Sequence, residues 1–546
     1  MEKRFIIALV LAMGILYIFN VFSPGKKGPV REQIVVKQER ETVQTGNNFD
    51  DKRDVFYPEA TMDKGDIQNL LAEEEVAVLE NNIGEITFSN IGGNIKEIAI
   101  AKYWTKSSSE ENEIIYTQDN PADGLFSMGT ALLPGLRTKQ FEMKKGENTI
   151  EYSFTENDWM EVVKTYTFDT VSDSLEAEIL VRNLSPKKMV MSFSIVGPSD
   201  LESDSKVAGR SFMEANLFVD GKLIKKKSVK SIERNSGSVD WVAFKDRYFV
   251  LVLKPFSFPE EVVLEPDNGK SIKMSLVSKK HELRPGEEQT FKYLLYAGVL
   301  DEKKLADIGE NMNLLVNYGI FGGVSKVLLT VLKVFYNWFH NWGAAIIFLT
   351  LLINLVLLPL TGKSFKAMQQ MKTIQPHLVK LKELHKDNPQ KLNKETMELY
   401  KKYNVNPLGG CLPLLLQMPI FIALYQGLIR SVGLKGAGFL WIKDLAKPDA
   451  VAIPLTLPFI GNHINILPLL MCVGMFLQQK ISMGNNAGGA TTDEQANQQK
   501  MMMIFMPIFF GFLFYNMPSG LVLYWLMNTI LMTSEHAVLS RNMNKG

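Results

Sequence analysis

Two polar side chains, Thr350 and Asn354, interrupt the otherwise aliphatic part of the stretch FLTLLINLVLLPLTGKSFK, residues 348–366. Four residues apart, they lie one helical turn from each other and share a face. An unpaired carboxamide in a membrane core costs roughly 2–7 kcal/mol, so Asn354 needs a partner side chain, a water or a substrate. The chemistry this offers is hydrogen bonding. Bond cleavage is not indicated, because neither HExxH nor GxSxG occurs. The six histidines, His281, His340, His377, His385, His463 and His536, are too scattered to suggest a metal site. Cys411 and Cys472 both fall in apolar runs and read as small core residues, so no disulfide framework, metal or cofactor is expected.

Apolar segments must position these side chains. The chain has 546 residues, 46% hydrophobic and 22% charged, with a net charge of +1. That average joins a charged, strand-like first half to a second half with long uncharged apolar runs. The length allows two or three domains. The opening MEKRFIIALVLAMGILYIFNVFSPGKKG has a basic start and an apolar run over 5–22. No small-x-small site follows, and the run nearly reaches the ~20 residues needed to span. Residues 1–24 are therefore read as a retained transmembrane anchor, with a cleaved signal as the alternative. Residues 25–75 are charged and poor in aromatics, the composition of a flexible linker.

Strand-length pieces separated by the turn cues NNIGE, NIGGN, VDGK and PDNG fill residues 76–299. They predict an all-β sandwich, taken as a domain over 76–315. Next, GGVSKVLLTVLKVFYNWFHNWG sets Lys326 and Lys333 among apolar and aromatic residues. Residues 316–341 thus read as an amphipathic helix along the membrane surface, with Trp338 and Trp342 at headgroup level. The alternative is a helix packed against the sandwich. Further apolar blocks at 342–360, 408–429, 464–481, 501–515 and 520–538 bring the expected spans to six with the anchor. No acid or base is assigned to a span. The last five would form a membrane α-helical bundle over 342–546; the fifth span is short and only YNMPSG separates it from the sixth, so these two are expected to tilt little or to sit in locally thin membrane.

Between Lys363 and Lys402 ten lysines face four acids, which the positive-inside rule assigns to the cytoplasm. Both termini then fall inside and the β domain outside. The loop over 431–463, with three lysines, fits an outside placement only weakly. The lysine-rich segment itself shows apolar residues at Met371, Ile374, Leu378, Leu381 and Leu384, a break at KDNP, and a resumed pattern at Leu392, Met397, Leu399 and Tyr400. This predicts an antiparallel helical hairpin over 363–405. Its excess charge, including Lys372, Lys380, Lys382 and Lys386, suits RNA or anionic lipid, and a plainly solvated face is the simpler alternative. Direct DNA binding is not expected.

Then NVNPLGGCLPLLLQMPIFIALYQGLIRSV crowds Pro407, Gly409, Gly410, Pro413 and Pro419 together, a density tolerated where backbone is buried in protein or faces water. With NWGAAIIFLTLLINLVLLPLT, MPSGLVLYW, LVNYG and the lysine-rich hairpin, it resembles the YidC membrane protein insertases, in order, from Asn311 to about Leu539. Over the β domain the chain is similar to the periplasmic domain of the Gram-negative members.

The resemblance implies a multi-pass inner-membrane protein whose five-span core encloses a hydrophilic groove, open to cytoplasm and lipid and closed on the outer side. It implies nascent membrane proteins as substrates, no catalytic residues, and work alone or beside the Sec translocon. Ribosome or signal-recognition-particle contact through the hairpin, and contact with lipids, also follow as expected partners. Most of the family has an arginine where this chain has Asn354. Gln417, Tyr524 and Asn528 match or flank groove positions and could hydrogen-bond across to Asn354. Asn354 is accordingly read as lining a wet groove with Thr350, or as glue between helices with no substrate contact. Met418, Phe421, Trp525 and Met501, Met502 and Met503 offer either an adaptable apolar surface for substrate helices or ordinary packing. Only Arg541 and Lys545 follow the last span, so a ribosome-binding tail is not expected. A small-molecule transporter is the main rival function. Sugar binding by the β domain is a lesser possibility than a spacer or docking role.

Overall fold

The computed structural model describes residues 71–543 apart from 72, 82–83, 102–112, 170–173, 200, 202–211, 258, 260, 268–270, 310, 386–387, 404, 406–411, 458–460 and 484–492. The N-terminal anchor and nearly all of the linker expected at 25–75 lie outside the described residues.

Alternation of apolar and polar side chains builds the first half. Ser174–Asn183 and Thr149–Glu156 turn every second residue inward, the period of a half-buried strand. They belong to a nine-stranded antiparallel sheet in the order Lys222–Lys226, Glu214–Val219, Val239–Lys245, Phe249–Pro255, Glu288–Val299, Ser174–Asn183, Met160–Asp169, Thr149–Glu156, Glu142–Lys145. The VDGK cue makes the two-residue turn between the first two of these, with Asp220 at φ 49° and Gly221 at φ 71°, the conformation that matches strand twist. A five-stranded sheet meets one face of the large sheet through Phe193 on Phe291, ring centres 4.6 Å apart. A four-stranded sheet meets it through Phe88 on Tyr166 at 5.0 Å. On the opposite face Trp241, Val250, Val252 and Tyr296 are covered by Leu305, Met312 and Leu315, carried by the short helix α1 (Glu302–Ile308) and the turn after it.

The amphipathic segment forms α2 (Gly322–Phe339). It buries Ser325 and Leu332 and leaves Val324, Val327, Val334, Trp338 and Phe339 exposed. Lys326 pairs with Glu302 at 2.5 Å and Lys333 with Asp301 at 4.0 Å, tying α2 to α1. Helix α3 (Trp342–Leu384) starts at Asn341, whose side chain accepts from the Ala344 N–H, the usual N-cap arrangement. Its apolar stretch Trp342–Met371 is long enough to cross a membrane, the one such helix among the described residues. The helix does not stop at Leu360 or Lys363. It runs on for 43 residues through Pro359 and Pro376, so the span and the first arm of the hairpin are one rod of about 65 Å. The KDNP break ends it, and Asn388 and Pro389 then cap and start α4 (Pro389–Lys402). Ring stacking of His377 on Tyr403 and the 2.8 Å contact of His385 with Glu395 set the two arms antiparallel.

The remaining helices are α5 (Leu412–Leu428), α6 (Ile466–Met483), α7 (Asp493–Phe514) and α8 (Ser519–Met543). Ile466–Ile481 and Met503–Phe514 are shorter apolar segments. Helix α7 begins eight residues before the apolar block at 501–515, because the polar DEQANQQK in front of it also winds into helix. The segment between α5 and α6 is more ordered than a plain loop and contains the hairpin Val451–Leu457 with Gly461–Ile464.

The β-rich half sits directly on the bundle. The Arg247 guanidinium donates to the Ile429 carbonyl just beyond α5, and Lys435 forms an ion pair with Glu113. The Arg247, Arg430 and Lys435 side chains lie against Phe212 and Tyr248, and burial lowers both guanidinium pKa values.

Candidate functional site

One end of the bundle is closed by hydrogen bonds, from backbone and side chains, made by the segment between α5 and α6. The Ser519 and Gly520 N–H groups at the start of α8 donate to Lys447 O and Leu445 O, both at 2.9 Å. Asp449 accepts from the Leu467 N–H at the start of α6, and Asn465 donates to Tyr515 O at 2.7 Å. Residues of the segment between α5 and α6 thus satisfy N–H groups that helix starts leave open.

Further along, the five long helices separate around a cavity of about 270 Å³. Helix α3 contributes Ser364 and Phe365, α5 Gln417, α6 Met475, Gln478 and Gln479, α7 Met506 and Phe510, and α8 Trp525, Asn528, Thr529, Met532 and His536. Carboxamides both donate and accept, so such a wall can solvate water or a peptide segment equally well.

Asn354 stands behind this wall, 6% exposed. Its Nδ2 donates to Thr350 O at 2.8 Å and to Asn528 Oδ1 at 3.0 Å. The Thr350 hydroxyl turns back to Ile346 O at 2.7 Å. In parallel, Gln417 Nε2 donates to the Tyr524 hydroxyl at 2.5 Å, joining α5 to α8. Two amide side chains therefore present a face to the cavity while being held from the rear, which fixes their rotamers.

Of the eight residues expected at the site, Gln417, Trp525 and Asn528 line the cavity, and Thr350, Asn354 and Tyr524 form the row behind. Met418 is half-buried outside the wall. Phe421 packs edge-on against Trp525 with ring centres 4.9 Å apart, supporting it from outside. The sequence reading missed Ser364, Gln478, Gln479, Thr529 and His536. Paired glutamines in FLQQK, at the end of an apolar run, were the available signal. Contrary to expectation, two of the apolar blocks carry ionisable residues: 464–481 contains Lys480, and 520–538 contains Glu535 and His536, the histidine in the cavity wall. In the hairpin, Lys380 is exposed. Lys386 and the side chains of Lys372 and Lys382 lie outside the described residues, as do those of Met501 and Met502.

Two family models match the chain. One described as 60Kd inner membrane protein covers residues 334–546, and one described as YidC periplasmic domain covers residues 77–331. The chain is 30% identical to the membrane protein insertase YidC of Pelobacter propionicus, with all of both chains covered. It is 34% identical to that of Syntrophobacter fumaroxidans over 70% of this chain and 68% of the relative. Among solved structures, an active YidC insertase with its first transmembrane domain resolved aligns over 84% of this chain and 94% of its own, at 17% identity and a TM-score of 0.36.

Proposed function

This chain belongs to the YidC membrane protein insertases, proteins of the inner membrane with a periplasmic domain, and from that premise we propose how it inserts its substrates. The carboxamide-lined cavity receives the polar segment of a nascent membrane protein that must cross, while the apolar segment of the same protein leaves sideways into lipid. The observation that carries this reading is the cavity itself, with Gln417, Gln478, Gln479 and Asn528 around about 270 Å³ inside a bundle whose α3 can cross a membrane. Polar walls lower the cost of bringing peptide groups into the bilayer, several kcal/mol per unsatisfied group. Burial of the apolar span, at about 25 cal/mol per Å², then drives the step without nucleotide or covalent chemistry. The seal across the starts of α6 and α8 supports closure on the outer side.

In this reading six spans cross the membrane, five of them forming the core. Both termini and the hairpin of α3 and α4 face the cytoplasm, and the β domain, with its spacer or docking role, is periplasmic. The hairpin offers lysines to anionic lipid, to the ribosome or to the signal recognition particle system, and larger substrates are handled beside the Sec translocon.

A photo-crosslinker placed at Gln417 or Met532 should capture the polar flank of a stalled nascent membrane protein. One at Val356, 67% exposed on the outer face of α3, should not. Adducts at Val356 with none at the two cavity positions would refute the cavity route.

A further inference from the structure

Outside the cavity, the most conspicuous feature is a tight turn in the segment between α5 and α6. Phe439 N donates to Ile442 O and Ile442 N to Phe439 O, both at 2.9 Å, so Leu440 and Trp441 form the tip. Leu440 has φ 53°, a conformation that glycine or asparagine adopts at less cost. It is also 77% exposed, and Trp441 is 41% exposed. A leucine that is strained and displayed in this way serves no packing purpose among the described residues.

The turn is nevertheless held rigidly. Ile442 and Leu445 beside it are buried, the Trp441 indole N–H donates to Asp449 Oδ2 at 3.3 Å, and the Phe439 ring lies directly on Gly343, where a Cβ would come within 2.1 Å of it. Gly343 is in the first turn of α3, where the apolar stretch Trp342–Met371 begins. The tip is thus at the depth where the membrane-crossing run meets water, and Trp338 and Phe339, at the end of α2 just before that run, are exposed as well. Exposed Lys443 follows two residues after Trp441.

We propose that the turn at residues 439–442 is an anchor in the outer leaflet: Leu440 enters the acyl boundary, Trp441 lies at the glycerol level and Lys443 meets lipid phosphate. The order apolar, indole, cation is the order in which a bilayer interface accepts them. With α2 at the same end of the bundle, the anchor holds the sealed end at fixed depth while substrate loads the cavity. The proposal goes beyond the insertase reading; it rests on α3 crossing the membrane and, for the choice of leaflet, on the orientation proposed above.

The test uses the full chain with Cys411 and Cys472 replaced by alanine and a nitroxide attached at Leu440→Cys or, in a second variant, Trp441→Cys. Each variant is reconstituted into phosphatidylethanolamine–phosphatidylglycerol vesicles after its fold is checked by circular dichroism. Labels at Lys188→Cys in the β domain and Val356→Cys in α3 serve as aqueous and lipid references. Contact with oxygen should exceed contact with a water-soluble nickel chelate severalfold relative to the Lys188 label. Contact with the nickel chelate equal to that at Lys188 would overturn the anchor. Shielding from both reagents would also overturn it, by showing that a protein surface covers the turn. An aqueous reading at Val356 would instead remove the spanning role of α3, and the anchor with it.

Discussion

The carboxamide of Asn354 has its partner in the protein: it donates to Asn528 Oδ1 at 3.0 Å, and Asn528 in turn lines the cavity. The two readings of Asn354, groove lining and interhelical glue, are therefore linked, because the residue that glues also orients one that lines. Asn354→Leu would leave Asn528 Oδ1 without this donor, a loss of about 1 kcal/mol in a membrane bundle, and should lower insertion in a depletion strain. Asn354→Arg should be tolerated, since it restores a donor in the same direction. Normal insertion with leucine would remove Asn354 from the mechanism.

A second residue-scale prediction concerns Lys164, fully buried in the β-rich half and donating to Gly92 O at 2.6 Å and Phe126 O at 2.7 Å. Burial first, and the Arg137 guanidinium second, pull its pKa from 10.5 to about 7. Burial likewise lowers Lys245 to about 8, against the pull of Glu214. The unfolded chain holds these protons up to 10.5 and the folded chain does not, so stability rises with pH above about 7 and falls as pH drops back toward it. The β-rich half should unfold at a higher temperature at pH 9 than at pH 7, and Lys164→Met should flatten most of that slope. An unchanged slope in the variant would contradict the assignment. None of this was legible in the sequence, where Lys164 sits in an alternating strand like any solvated lysine.

At the scale of elements, the sequence signals worked where local chemistry decides. VDGK makes a turn with two positive φ values, and KDNP ends one helix while capping the next. They failed where tertiary packing decides. Pro359 and the basic residues after Leu360 look like the end of a span, yet α3 continues through them. The strands Val451–Leu457 and Gly461–Ile464 fall in a stretch that reads as loop, because VAIPLTLP carries two prolines. The approach of α2 to α5 was equally hidden. It is set by Gly427, where an added Cβ would lie 2.8 Å from Ser325 Oγ and 3.0 Å from Leu329 Cγ. Gly427→Val should force the two helices apart at about 1–3 kcal/mol, seen as a lower unfolding temperature in detergent, while Gly427→Ala should cost less. Equal stability of the valine variant would mean that α2 is not clamped there.

At the scale of the whole molecule, the β-rich half and the bundle form one body through Arg247, Lys435 and Glu113. A seal stands at one end of the bundle and a polar cavity farther in. In the mechanism proposed above, that arrangement needs no energy source beyond the substrate's own transfer from water to lipid. The direct test is reconstitution of the purified protein alone in liposomes, followed by protease protection of a small single-spanning substrate, with and without the paired substitutions Gln417→Leu and Asn528→Leu. The account predicts protected substrate in the absence of nucleotide and translocon, and several-fold less protection when the cavity is made apolar. No protection by the folded wild-type chain, or undiminished protection by the apolar variant, would contradict it.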